Sequence, residues 1–545
     1  NLQEQGVDEP DVAKLADGRL LVLSGSRLRL LSTADSPDVL DELKVGDGQY
    51  GSGELLVVGD RALVVLPGWK PGPEPKPSDG GREIMPVPGE AVTRVVLVDL
   101  SGDRLRLLEE ARYDGAYVSA RLTDGTVRLV TVSTPQLMTP QSWSLRDVLP
   151  QVERRDASGA VQSQDAAVTC TQTRYAPGAA GTSTLLISTL RPEDGLRSTD
   201  DTAVTTDGQV VYASPDRLYV ATSRWGAVAP ASPDVVGDDV AVSNGQVDTQ
   251  IHAFDTTSGN STAYLGTGKV PGYVYGRWAF SQYQGVLRVA TTRQPPWGPQ
   301  GEALGKSDSM VVTMAERDGR LVETGRLTGL GPTEQIKSVR YFGDLAAVVT
   351  FRPTDPQYIL DLSGKPRVIG ELKVPGFSTY LHPLGNGLLL GLGMDATDEG
   401  QVTGMQASVF DISDPIAPRL VDRLPLGTGH SPAIDDSRAF SYDPSRRMVL
   451  LPMTRYDTGA SEAVGIRVAG DGTLSEVGRL SMALGQDPYA GGFVSRVLVD
   501  DSRAYAVTDG GVLTAEPETM TRLGSTTWPV QYPGGPITIL PEPVE

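Results

Sequence analysis

Two acidic segments and a set of tryptophans are the residues of this chain whose types and spacing could do chemistry. The segment GVDEPD places Asp8, Glu9 and Asp11 within four positions, just ahead of an apolar run. Three carboxylates so close would take a hard cation such as calcium, which prefers several oxygen ligands in a flexible geometry. They would equally bond backbone amides and fix the seam where a ring closes on itself, and that reading takes precedence. The segment MDATDEGQVTG sets Asp395, Asp398 and Glu399 ahead of a glycine in a loop. Calcium is again the cation it would hold, but the spacing departs from the EF-hand pattern at the second and third ligand positions. A solvated acidic hairpin is the simpler account.

Of six tryptophans, Trp69, Trp143 and Trp225 sit in or beside Pro-, Gly- and acid-rich stretches. An indole in such a place stacks on a sugar ring or anchors a protein partner, and packing between structural units explains it as well. Packing is the expectation for Trp278, while Trp297 and Trp528 carry no further signal. His252, His382 and His430 are too dispersed for a recognisable zinc motif. His382, between Leu381 and Pro383, is expected to be a satisfied core or channel residue. Ser431 in GHSPA lacks the final glycine of a nucleophile elbow. The single cysteine, Cys170, is expected as a small buried filler and has no partner for an internal disulfide. No phosphate-cradling Gly-Lys loop and no basic, aromatic-interleaved patch is present.

The elements that would position these groups are short strands. Glycine (62) and proline (40) make up roughly a fifth of the 545 residues, a density that breaks long helices and supplies turns. The dominant pattern is two apolar runs joined by an Asp/Gly/Asn/Ser turn, as in VAKLADGRLLVLSG from Val12, YVSARLTDGTVRLVT from Tyr117 and YLHPLGNGLLLGLG from Tyr380. A further pair of strands follows most of them, the first often ending in Asp: VVLVDLSGDRLRLL, YILDLSGKPRVIG, SVFDISDPIAPRLVD. Four strands per unit, repeated radially, is the blade of a propeller. Units begin near 11, 53, 115, 208, 277, 337, 379, 438 and 494. The expected fold is therefore all-β, a single β-propeller over residues 1–545 with eight or nine four-stranded blades, the count favouring nine. Inner strands are expected to be continuously apolar and outer ones to alternate, as in RLRLLS and IHAFDT. Insertions are expected at about 69–90, 134–181 and 226–250. The second carries the one expected helix, SWSLRDVLPQVERR, capped by Ser142 or Ser144 with Leu145, Val148, Leu149 and Val152 on one face.

The opening NLQEQGVDEPDVAKLADGRLLVLSG and the stretch LKVPGFSTYLHPLGNGLLLGLGMDATDEGQVTGMQASVFDISDP resemble a family of secreted bacterial and archaeal proteins that carry a C-terminal β-propeller domain distantly related to WD40 propellers. The resemblance extends over most of the chain. GHSPAIDDSRAFSYDP departs from it, being polar where members carry a more apolar Ser-Tyr-Ser-Glu-Ala-like run. Membership implies export, with a signal or lipoprotein peptide removed, and implies no reaction; the start at Asn1 is read the same way, as a processed product.

The formal net charge of −20 repels phosphate backbones and anionic membranes, so nucleic acid is not an expected partner. No apolar run is long enough for a transmembrane helix. The expectation is a secreted or cell-surface, non-enzymatic propeller that binds an extracellular protein or glycan through one ring face and its insertions. The alternative is a hydrolase or lyase on an extracellular polymer or lactone, with a site in the central channel that uses carboxylates and a divalent ion.

Overall fold

The computed structural model describes residues 2–46, 53–72, 89–135, 144–176, 178, 181–225, 247–295, 305–351, 355–374, 376–397, 401–481 and 492–530. Their strands run in successive antiparallel meanders of four: 13–44, 54–114, 116–205, 210–271, 280–330, 335–374, 377–427, 441–481 and 494–527. The fourth and fifth are linked into one eight-stranded sheet by a single parallel pair, Thr267 with Arg320.

The turn chemistry works as its residues dictate. In LADGRL, Asp17 and Gly18 take φ values of 48° and 69°, and in LTDGTV, Asp124 and Gly125 take 47° and 72°. Two successive positive φ angles make the tight hairpin whose twist matches its strands, and Asp-Gly adopts it at little cost. The aspartate that ends many third strands has an equally local function. Asp361 accepts hydrogen bonds from the amide and hydroxyl of Ser363 at 3.0 and 2.6 Å, and its other oxygen pairs with Arg367 at 2.7 Å. Asp411 repeats this with Ser413 and Arg419. Each such aspartate fixes the turn into the fourth strand, which is why Asp-x-Ser recurs along the chain.

Neighbouring meanders pack face to face. Leu21, Leu28 and Leu30 of the first lie in one apolar cluster with Leu55, Val64 and Val96 of the second. Ala13, Leu20, Val22 and Leu31 share another with Tyr505, Val507 and Val512 of the last, so the ring closes. Seam bonds reinforce the closure: Ser24 Oγ donates to Asp509 O at 2.6 Å, Arg503 pairs with Asp35 at 2.8 Å, and Arg29 lies 4.5 Å over the Trp528 ring.

Three expectations need correction. RLRLLS and IHAFDT are third strands, not outer ones, and both are buried because blades cover them on two faces. Alternation falls on fourth strands such as Val39–Lys44. The helix spans only Leu145–Val148: the amide and hydroxyl of Ser144 both donate to Asp147, Leu145 is exposed, and Val152 is buried in a strand, Gln151–Asp156. The described residues of 134–181 accordingly extend two blades. Gln151–Asp156 pairs with Arg106–Asp114, Val161–Ala166 adds outside it, and Thr173–Tyr175 runs parallel to Asp200–Thr205. Finally, Cys170 is exposed. Of the other two insertions, 73–88 and 226–246 lie outside the described residues.

Candidate functional site

Two places gather chemistry-bearing side chains, the centre of the ring and a cleft beside the second and third blades. At the centre, the N-terminal segment crosses from blade to blade. Asp8 exchanges backbone hydrogen bonds with Leu122 of the third blade, and Asp11 with Leu55 of the second. Gln3 Nε2 donates to the carbonyls of Arg277 and Phe280 at 2.9 and 3.1 Å, and Tyr212 donates its hydroxyl to Glu4 at 2.7 Å.

Arginines take up the carboxylates of this segment. Glu9 pairs with Arg277 at 2.8 Å and lies 3.6 Å from Arg121. Asp11 accepts from Arg496 Nε at 2.6 Å and from its own neighbour Val12 N at 2.7 Å. Asp8 takes Lys14 Nζ at 2.6 Å and the Glu9 amide at 2.9 Å. Arg496 also binds Asp436 at 2.6 Å, and Arg438 joins Asp436, Glu54 and the carbonyl of Pro10. Burial pushes the Asp436 carboxyl up, but hydrogen bonds from Arg438 and the charges of Arg496 and Arg438 overcome it and hold the group at about 2. Burial raises Asp11 from its ordinary value, with Arg496 and Arg438 opposing.

Short 3₁₀ turns carry the central side chains from two blades. Arg277–Ala279 and Ser437–Ala439 meet across the ring, where Arg277 Nη2 and Trp278 Nε1 both donate to Ser437 Oγ, at 2.9 and 3.1 Å. The expected packing role of Trp278 is thus realised, with Tyr380 edge-on at 5.7 Å. His382 sits beside Tyr380, Phe440 and Tyr442. Burial and the Arg340 charge push its imidazole down to about 3, so it is neutral at ordinary pH. His252 is buried and held at about 4 by desolvation. Ser431 donates to Pro452 O at 2.5 Å and accepts from Ala433 N, the work of a helix cap.

Asp395 pairs with Arg423 at 3.2 Å, while Asp398 and Glu399 lie outside the described residues. Among the described residues no three His, Cys, Asp or Glu side chains converge in a metal-binding group.

The cleft is different. Strands Arg61–Lys70 and Glu90–Asp99 run on as a ribbon to the edge of their blade, with Trp69 opposite Ala91 and Lys70 opposite Glu90. Trp69 is 53% exposed at the end of that ribbon. A Cβ on Gly89 would lie 2.1 Å from the Trp69 Nε1, so this glycine leaves the room the indole occupies. Beside the ring opens a cleft of about 610 Å³ whose wall includes Glu90, Asp114, Ser133, Thr134, Arg146 and Gln151. Gly115, at φ 110°, lets the floor approach the third blade, for a Cβ there would meet the Val132 carbonyl at 2.6 Å. Asp114 accepts from Gln151 N at 3.1 Å, and burial raises its carboxyl from the ordinary value.

Of the aromatic residues singled out in the sequence, Trp69 therefore lines a cleft. Trp143 lies outside the described residues, and Trp225 ends the strand Arg217–Trp225. Sequence reading missed the central arginines, Arg121, Arg277, Arg438 and Arg496. For Arg277 and Arg438 a signal was present, the Ala-Phe-Ser shared by GRWAFSQY and DSRAFSYD at 279–281 and 439–441, which marks the two turns that meet at the centre.

Fold and centre together define a β-propeller whose hub is filled by its own N-terminal segment and a mesh of ion pairs. Comparison agrees: a match over residues 1–520 shows that the chain belongs to the Beta propeller domain family. It is 41% identical over 188 residues to an uncharacterized protein of Methanocaldococcus jannaschii, covering 34% of this chain and 28% of that protein. An uncharacterized protein of Archaeoglobus fulgidus is 38% identical over 189 residues, 34% of this chain and 27% of its own. The chain thus matches little more than a quarter of the length of either relative. No helix among the described residues is long and apolar enough to cross a membrane.

Proposed function

We propose that this propeller is an extracellular binding protein without catalytic activity, and that it holds a neutral glycan in the cleft at Trp69. The observation that carries this reading is the exposed indole beside a cleft walled by carboxylates, amides and hydroxyls. Sugars present apolar C–H faces that stack on an indole and hydroxyls that need directional acceptors and donors. The volume lies within the range of small-molecule pockets, about 300–1,000 Å³, enough for one or two sugar rings. The net charge of −20 disfavours polyanionic polymers and directs the choice to neutral ones.

A channel-sited hydrolase or lyase finds less support. Such chemistry needs a carboxylate free to move a proton or hold a divalent ion. At the hub Glu9, Asp11, Glu54 and Asp436 are each ion-paired to arginine.

The test is native gel electrophoresis of the chain through soluble β-glucan, xylan and galactomannan. At least one polymer should retard the wild type, and Trp69→Ala should migrate there as it does in a blank gel. Equal retardation of both proteins, or no retardation of the wild type by any of the three, refutes the reading. Capture of a protein partner that Trp69→Ala abolishes would replace the glycan by a polypeptide.

A further inference from the structure

A second cavity lies at the rim of the hub, lined by Glu4 and by Trp278, Tyr283, Arg288, Arg340 and Tyr341, with a volume of about 100 Å³. It shares no lining residue with the Trp69 cleft. Its charges are unbalanced. Among the described residues Glu4 is the one carboxylate on the wall, and it is engaged by the Tyr212 hydroxyl. Burial raises that carboxyl from its ordinary value, with Tyr212, Arg340 and Arg288 opposing.

The two guanidiniums are held in place by aromatic faces. Arg340 lies 4.6 Å from the centre of the Trp278 ring, and Arg288 lies 4.9 Å from Tyr341 and 5.2 Å from Tyr283. Arg288 spends its two outer nitrogens on the Gly343 carbonyl and Ser281 Oγ, and its Nε has no partner among the described residues. Arg340 is the sharper case. Its Nε and Nη1 are sealed from solvent, and neither has a hydrogen-bond partner among the described residues.

A buried guanidinium with unmet donors costs far more than a satisfied one, because the group gives up water and receives nothing for it. Elsewhere at the hub the same residue type is matched to a carboxylate, as Arg496 is to Asp11 and Arg277 to Glu9. Aromatic stacking holds the guanidinium plane without consuming its N–H groups, so Nη2 of Arg340, which is not sealed and has no hydrogen-bond partner among the described residues, is left to receive an oxyanion.

We propose that this cavity is a binding site for a small oxyanion, a carboxylate or phosphate group, received by Arg340 with Arg288 and seated against the rings of Trp278 and Tyr341. The volume admits an ion of a few heavy atoms, a few times the share of one water in the liquid, about 30 Å³. A bulky polymer end does not fit.

The experiment is a fluorescence titration of the full chain with sodium acetate and, separately, inorganic phosphate, with chloride exchanged to hold ionic strength constant. The Trp278 indole beside Arg340 supplies the signal, assigned by its loss in Trp278→Phe. The wild type should respond saturably to at least one anion. Arg340→Met, which keeps the stacked chain and removes the donors, should weaken binding about tenfold or more. Should Arg340→Met not fold by circular dichroism, Arg340→Lys replaces it; it keeps the charge without the planar fork and should still bind several-fold more weakly. A response to acetate alone identifies a carboxylate ligand, and one to phosphate alone a phosphate group; both support the site. Absence of a saturable response to either anion, or equal affinity in the wild type and the arginine variant, overturns it.

Discussion

The hub and the Trp69 cleft are built from the same residue types and do opposite things with them. At the hub, carboxylates meet guanidiniums from several blades at 2.6–2.8 Å. At the cleft, Trp69 stands exposed and the nearby pair Lys70–Glu90 is loose at 3.5 Å and open to water. An ion pair buried among blades is costly to break by removing one partner, whereas an exposed one contributes little. Rigidity is thus concentrated at the hub, and a surface is left available at the cleft.

The strongest way to break the comparison is to remove one hub arginine. Arg496→Met leaves Asp11 and Asp436 without their shared partner in a buried seam. It should cost about 3–5 kcal/mol of unfolding free energy, read from urea denaturation. A loss no larger than that of an average surface change would mean that the hub is dispensable.

Trp69→Ala should do the reverse. Stability should stay within about 0.5 kcal/mol of wild type. Affinity for whichever neutral glycan the wild type recognises should fall about thirtyfold, roughly 2 kcal/mol, measured by calorimetry.

Acid sharpens the contrast through Asp436. Its folded carboxyl is held at about 2, below the ordinary 3.8, so its contribution to stability is present above 3.8 and lost as pH falls through about 2. Wild type should lose stability over that window, by an amount on the order of 2 kcal/mol from this group. Asp436→Asn should start lower at neutral pH and lose less there, in urea unfolding midpoints taken between about pH 5 and pH 2. Equal acid slopes for the two proteins would show that Arg438 and Arg496 do not hold this carboxylate.

The smallest expected effect is that of metal removal. Asp8, Glu9 and Asp11 are neutralised by Lys14, Arg277 and Arg496, so a chelator, or added calcium, should leave the melting temperature unchanged. A calcium-dependent rise would put the cation reading of these residues ahead of the seam reading.

What was legible in the sequence follows interactions of short range. LADGRL and LTDGTV announce their hairpins because the positive φ angles are a property of two adjacent residues. DLSGKPR and DISDPIAPR announce the third-strand turn because Asp361 and Asp411 bond residues two and several positions ahead. Trp69 stands out because an indole flanked by prolines and glycines is a large apolar group in a turn-rich stretch. The apolar spacing of QVERR suits a helix, whereas pairing with Arg106–Asp114 decides for strand. A lone cysteine suits a buried filler by its type, yet Cys170 is exposed.

By itself, then, the sequence determined the repeating unit: short strands, their turns and the stacked apolar faces that require neighbours on both sides. Only the tertiary structure decided which charges meet. Asp11 and Arg496 are separated by 485 positions, and Arg438 reaches Glu54 across 384. Their pairing depends on ring closure, which brings the first and last blades together and lays residues 3–11 over the centre. A local pattern specifies a blade because its hydrogen bonds are local. The hub's ion pairs and the arginine-lined cavity beside it exist only once every blade has found its place.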